Sequence, residues 1–422
     1  MRLQPSHLMP AIPATESEPP SVILPEPPPR KEAASAPQVH LDYLDGLRAL
    51  AALTVVLCHC VLPNWHEWPL GISITSKLRL FSLYDNLGHF AVNLFIVLSG
   101  FCLMLPVVRN GGFLKGGSAV FLKKRAIRIL PSYYLATAFT LLLIGTLIGH
   151  QTGTPWDVSL PVTDWNILAN LLLVQNFTEH AGAINHAYWS VSLEWWVYFL
   201  FPALILSWRR FGALGSILLA MALSVLLVGG CLFLFERSYT LQYVGLFAMG
   251  VFAASIAGSS NPSSRWLAEQ MNGVTLAVLT LFVLVLCRFG VKLLGGQWGP
   301  PLIDYVVGVW VVCLLVMLIS GRLSFLRKGL SFRPIVFIGT FAYSIYLTHA
   351  PIVQILWEYG IAPMKLPDLE AYVLFKILAI PATVCVAYGF YLICERPFVR
   401  VKQRFPEMFK LPPKMKSHRI AG

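Results

Sequence analysis

The sequence predicts an all-α bundle of about ten membrane-spanning helices with both termini on the cytoplasmic side. Three observations predict it: apolar stretches of spanning length recur along the chain, charge is scarce, and lysine and arginine concentrate in alternate connections. Of the 422 residues, 56% are hydrophobic and 12% charged, and the mean hydropathy is +0.67. A surface of that composition does not suit water, so the solvent of most of the chain is lipid.

Stretches of about 17 to 25 apolar residues mark membrane helices. Ten candidates follow one another: Leu47 to Leu62, Leu87 to Val107, Pro131 to Gly149, Tyr188 to Trp208, Ala213 to Phe235, Leu241 to Ala257, Val274 to Cys287, Ile303 to Ser320, Ile335 to Trp357 and Ala371 to Cys394. The segment Ile167 to Val174 is too short to span and reads as interfacial or re-entrant. Basic residues are retained on the cytoplasmic side. With the amino terminus inside, 24 Lys and Arg fall in cytoplasmic segments and 6 on the opposite side, with Arg48 and Lys376 inside helices. The connection from His150 to Asn185 carries neither and belongs outside.

Residues 1–38 form a Pro-rich cytoplasmic leader expected to be disordered, 39–400 the membrane domain and 401–422 a basic cytoplasmic tail. The net charge of +12 is distributed between apolar runs and in the tail, which marks topology rather than nucleic acid. The eight cysteines lie almost wholly in apolar stretches, without the pair spacing of a zinc site. No metal is expected: Cys58, His59 and Cys60 project about 100° apart on a helix and do not converge.

Ionisable groups inside a membrane are expensive, and each is a functional candidate. Arg48 and His59 are eleven residues apart, close to three helical turns, so they share one face about 16 Å apart along the axis. That spacing suits a long, thin ligand gripped by its phosphates at the inner boundary and reacting deeper in the membrane, and coenzyme A has that shape. Alternatively, Arg48 snorkels to lipid headgroups and His59 is a packing residue. In the basic cluster Lys123 to Arg128, which leads into Pro131 as a first-turn proline, Arg125 and Arg128 share a face and are candidate phosphate contacts. Lys123 and Lys124 suit anionic lipid. Glu194 sits among aromatics with Tyr198 one turn on, either in an ion pair with an arginine of another helix or in a direct role. His349 precedes Pro351 and is either a site residue or the partner of the carbonyl that the proline frees.

These motifs are similar to those of the acyltransferase type 3 family of integral-membrane acyltransferases. The resemblance rests on Tyr43 to Ala51, His59, Asn93 to Phe101, Arg125 to Tyr133, Trp189-Ser190 with Glu194 and Tyr198, Tyr343 to Pro351, and Glu395-Arg396-Pro397, in order over about 350 residues. It implies roughly ten helices, an acyl-coenzyme A donor with no permanently bound cofactor, and transfer of acetyl or another short acyl group to a hydroxyl, here of a carbohydrate or glycosylated acceptor. The bacterial inner membrane is the expected location. It assigns Arg48 and His59 as the functional pair. His59, Glu194 and His349 are then the catalytic candidates, Arg48, Arg125 and Arg128 the donor-binding ones, and Tyr198 and Ser99 the substrate-binding ones. Asn93 stands where many relatives carry an acidic residue, so no carboxylate role is assigned there. The chain ends at Gly422 without the hydrolase-like domain of some relatives, so the bundle is expected to complete the reaction or hand it to a separate protein. The competing class is a polysaccharide transporter or flippase with Arg48, Glu194 and His349 along its path, against which no inverted-repeat features are evident.

Overall fold

The computed structural model describes residues 41–60, 87–237, 240–257, 259, 261–294 and 299–400, with the side chains of 287–294 not described. The Pro-rich leader, the basic tail and Val61 and Leu62 of the first expected helix lie outside these residues. The described residues are helical and contain no strand, as an apolar solvent demands of an open chain: each helix satisfies its own backbone. In order, the helices are α1 (Asp42–His59), α2 (Leu87–Arg109), α3 (Gly117–Leu143), α4 (Asp164–Leu171), α5 (Trp189–Phe235), α6 (Gln242–Ala257), α7 (Pro262–Gln270), α8 (Gly273–Leu294), α9 (Gly299–Ile319), α10 (Ser324–Leu330), α11 (Arg333–Gly339), α12 (Ala342–Ile355), α13 (Asp368–Phe390) and α14 (Arg396–Val399).

Each of the ten expected stretches falls on a helix. By length and apolarity alone, five of the described helices qualify as spans, and up to seven when two bent pairs each count once. The difference has local causes. Helix α5 runs 47 residues, about 70 Å at 1.5 Å per residue and more than twice a bilayer core, and it breaks at Gly212, whose φ of 72° and ψ of −175° no helix contains. It therefore holds two of the expected spans. Helix α1 has 18 residues but carries Asp42, Asp45 and Arg48. Helices α11 and α12 are bent by 73° around Thr340 and Phe341.

One boundary differs from expectation. Pro131 is not at a first turn; α3 begins at Gly117, after Gly116 and Gly117 at positive φ, and Pro131 lies inside it. The basic cluster is thus helical, because Gly116–Gly117 supplies the break that the proline was expected to mark. The short segment at Ile167 is α4, capped by Thr163 and Asn166, and Asn170, Gln175 and Asn176 tie it to Tyr133, Tyr188 and Trp189.

Small residues let the helices at the centre approach to backbone contact. Helix α2 lies against α6, where a Cβ on Gly100 would collide with the Phe247 carbonyl and one on Gly250 with that of Val97. Helix α1 meets α10 and α11 in the same way, through Gly46 against Leu330 and Gly339 against Asp45. Without a hydrophobic drive between helices in lipid, such close packing is what holds them together. Gly250→Val should therefore destabilise the protein by on the order of 1–3 kcal/mol, as overpacking does. Gly230→Ala, with nothing within 4 Å, should be neutral or stabilising by up to about 1 kcal/mol. Thermal unfolding of the two variants in detergent measures the contrast.

Candidate functional site

Helix α1 carries a functional group at each end. At its final residue, His59, three imidazoles meet. His59 Nδ1 lies 2.8 Å from His349 Nε2, with the rings nearly parallel at 8° and their centroids 5.0 Å apart. His186 approaches the His59 ring edge-on, centroids 4.6 Å apart and planes at 88°.

The origin of the pair is a proline. Pro351 lies inside α12, and its missing N–H leaves the Leu347 carbonyl, four residues back, without a helical partner. The expectation that His349 satisfies the freed carbonyl is not what occurs: Asn185 Nδ2 donates to it at 3.3 Å. His349 Nδ1 instead lies 2.7 Å from the Tyr346 carbonyl. A carbonyl only accepts, so that nitrogen carries the hydrogen. With both imidazoles neutral, His349 Nε2 is then an acceptor, and His59 Nδ1 must be the donor in the 2.8 Å bond. The lone pair of His59 is left on Nε2.

His186 belongs to the connection preceding α5, folded back against the helices. Burial, with the neighbouring His349, pushes its pKa down to about 3, so it is neutral at the histidine group. It directly follows the connection from His150 to Asn185 that the sequence places outside, and it was not among the site candidates. No local signal marks it: its place is fixed by long-range contacts of its neighbours, Asn185 with α12 and the Ala187 carbonyl, which accepts from the Tyr346 hydroxyl at 2.9 Å. Ser190 at the start of α5 shares a 2.6 Å hydrogen bond with the same hydroxyl.

Three turns away, Arg48 bonds Asp45 one turn earlier and donates to Cys102 Sγ at 3.1 Å. The Cys102 thiol lies within electrostatic range of Arg128 and Arg125 on α3 as well as of Arg48 on α1. The Arg125 guanidinium is 6.0 Å from the centre of the Tyr198 ring and 5.9 Å from that of Phe121, and its Nε is buried without a hydrogen-bond partner among the described residues. An orphaned buried donor on a cation is unfavourable unless a ligand completes it. The Arg48 side chain is 28% exposed, enough to reach such a ligand.

Glu194 joins the arginine end rather than the imidazoles. Its Oε1 accepts from Ser99 Oγ at 2.7 Å and from the Tyr198 hydroxyl, while Ser99 and Tyr198 lie 3.2 Å apart. Its carboxylate lies within electrostatic range of Arg48, Arg125 and Tyr346. Ser99, Glu194 and Tyr198 thus form one hydrogen-bonded unit, with the Arg125 guanidinium over the Tyr198 ring. The Tyr346 ring centre is 5.6 Å from that of His349. Glu395, outside the expected site, is buried on the arginine side, accepts from Ser344 and lies in the field of Arg128.

A charged cradle and an oriented imidazole, on one helix, are the parts an acyl-transfer site requires. Known proteins with similar sequences include acyltransferases. The exopolysaccharide production protein ExoZ of Rhizobium meliloti is 24% identical over 320 residues, 75% of this chain and 90% of its own. The peptidoglycan O-acetyltransferase OatA of Listeria monocytogenes is 24% identical over 340 residues, 75% of this chain and 50% of its own. The acyltransferase MdmB of Streptomyces mycarofaciens is 30% identical over 174 residues, 39% of each. The chain spans about half the length of the longer curated relatives it matches, OatA among them. No solved structure matches it significantly. The family model described as an acyltransferase domain, Acyl_transf_3, matches residues 41–392, from the first turn of α1 to the end of the last long helix, and this integral-membrane chain belongs to that acyltransferase family.

Proposed function

We propose that the chain is an O-acyltransferase that moves an acetyl or other short acyl group from acyl-coenzyme A to a hydroxyl of a carbohydrate or glycosylated acceptor in a bacterial inner membrane. The observation that carries this reading is the hydrogen-bond chain from the Tyr346 carbonyl through His349 to His59, which leaves a basic nitrogen at one end of α1 with three arginines at the other. The relatives named for peptidoglycan O-acetylation and exopolysaccharide production support a carbohydrate acceptor.

In this mechanism Arg48, Arg125 and Arg128 hold the phosphates of the donor, and the orphaned Arg125 Nε gains its partner there. Glu194, with Ser99 and Tyr198, keeps two of the guanidiniums in position. The pantetheine arm follows α1 for about 16 Å, three turns, to His59. The acceptor hydroxyl gives its proton to His59 Nε2 as its oxygen bonds the thioester carbonyl carbon. The carbon–sulfur bond then breaks, and the leaving thiolate takes the proton back. In the covalent variant, Nε2 attacks the carbonyl carbon first and the thiolate departs; the hydroxyl oxygen then bonds the acyl carbon, the carbon–Nε2 bond breaks, and the hydroxyl proton passes by way of the freed imidazole to the thiolate. His349 serves both routes by holding the His59 tautomer, as the orienting member of a catalytic triad does.

Purified protein supplied with labelled acetyl-coenzyme A and a hydroxyl acceptor should release free thiol. His59→Ala should lower that rate by ~10²–10⁴-fold, the range of a lost general base, with membrane insertion intact. An alanine variant of full activity removes the mechanism. For Arg48→Lys the effect should fall on the donor: an ammonium cannot make the paired contact, so the acyl-coenzyme A KM should rise roughly 10-fold while saturating turnover holds. His349→Gln should reduce kcat by about 10-fold or more with little change in donor KM, because the amide no longer selects which His59 nitrogen keeps its lone pair. A rise in donor KM alone would show that His349 acts on binding.

A further inference from the structure

A second ionisable centre lies outside the histidine group. Asp304, in the second turn of the otherwise apolar helix α9, is fully buried. A carboxylate at such a position is unfavourable unless its oxygens are met. Three side chains from two other helices meet them. His89 Nε2 and Asn93 Nδ2 each lie 2.7 Å from Oδ1, and Gln242 Nε2 donates to Oδ2 at 3.1 Å. His89 and Asn93 are four residues apart, so one face of α2 delivers both, and Gln242 opens α6.

The two amides are what helix packing needs from a buried carboxylate, and both are themselves buried. His89 is different. Its side chain is 46% exposed although the carboxylate it bonds is at 0%. Nε2 is committed to Asp304, with the Tyr243 hydroxyl 3.5 Å from the same nitrogen, and Nδ1 has no hydrogen-bond partner among the described residues. In the neutral ring, a carboxylate behind one nitrogen fixes the proton there and leaves a lone pair on the other, pointing away from the network.

The centre is also a neighbour of the histidine group. Helix α2 runs so close to α1 that a Cβ on Gly88 would lie 2.6 Å from Cys58 Cβ, next to His59. On the other flank, Tyr243 packs on His89 with ring centres 6.3 Å apart and on Trp189 at 5.2 Å. Trp189 adjoins Ser190, which holds Tyr346 beside His349. Part-exposed Phe90 and Trp189 add apolar faces near an outward lone pair, a mixture suited to a molecule whose hydroxyls alternate with C–H surfaces.

We propose that His89, oriented by Asp304, is an acceptor-binding residue: its Nδ1 accepts a hydrogen bond from one hydroxyl of a carbohydrate while another hydroxyl of the same molecule faces His59. The proposal rests on the acyl-transfer reading and names where its substrate is held; no bond is made or broken at His89.

The test uses the full-length protein in detergent, a panel of methyl glycosides as probes and 1-propanol as the acceptor with a single hydroxyl. His89→Gln keeps an amide that can bond Asp304 and removes the outward nitrogen. It should raise the KM for the preferred glycoside by ~10-fold, the value of one hydrogen bond, and cut the preference for glycoside over propanol by the same factor, with the donor KM unmoved. Asp304→Asn should move the same quantities in the same direction. Calorimetry of glycoside binding without donor should show the same weakening. An unchanged glycoside KM and binding in His89→Gln, an equal loss against glycoside and propanol, or a wild-type protein that binds none of the glycosides overturns the proposal. Wild-type protein that binds a glycoside through His89 but releases no thiol from acetyl-coenzyme A overturns the acyl-transfer reading and leaves the binding site standing.

Discussion

A backbone carbonyl in lipid has to find its hydrogen-bond partner within the protein, and the histidine group of this chain grows from one carbonyl that a proline deprives of its own. Pro351 releases the Leu347 carbonyl, Asn185 answers it from the connection before α5, and the segment that follows is drawn against α12. That segment delivers His186 to the edge of His59 and Ser190 to Tyr346. With the freed carbonyl occupied, His349 turns to the carbonyl of Tyr346, and its second nitrogen is released for His59. The same short stretch of α12 thus satisfies its backbone and fixes a tautomer, two tasks met by one set of bonds.

Glu194 organises the opposite end. Its carboxylate accepts from Ser99 and Tyr198, and its charge lies in the surroundings of Arg48 and Arg125. A cation cluster with no negative charge nearby would repel itself in a medium that screens poorly. Asp45 beside Arg48, Glu194 near Arg48 and Arg125, and Glu395 near Arg128 offset part of that repulsion.

The sequence made legible whatever a helix says about itself. Apolar length located the long helices, and the eleven-residue interval put Arg48 and His59 on one face. The pairing of Glu194 with Tyr198 followed from their four-residue spacing. What the sequence did not show depends on a partner far along the chain. His186 looked like a polar residue of an outer loop, because nothing local says that Asn185 will reach α12, 162 residues away. Asp304 stood alone in an apolar run, its three donors 62 to 215 residues distant. The start of α3 was misread for a different reason: proline at a first turn and proline inside a membrane helix look alike unless the two glycines before Ser118 are weighed as the stronger break.

The glycine contacts of α1 have a consequence for the donor. Gly46 and Gly339 bring α1 into backbone contact with α10 and α11, leaving no room for the helix to slide along its axis. The distance between guanidinium and imidazole is then a property of the scaffold, set by residue count and not by what is bound. On the acyl-transfer reading, α1 acts as a measuring rod for the thioester's arm. It admits any acyl tail that fits beyond the sulfur, and refuses carriers whose reach from phosphate to sulfur is shorter than the rod.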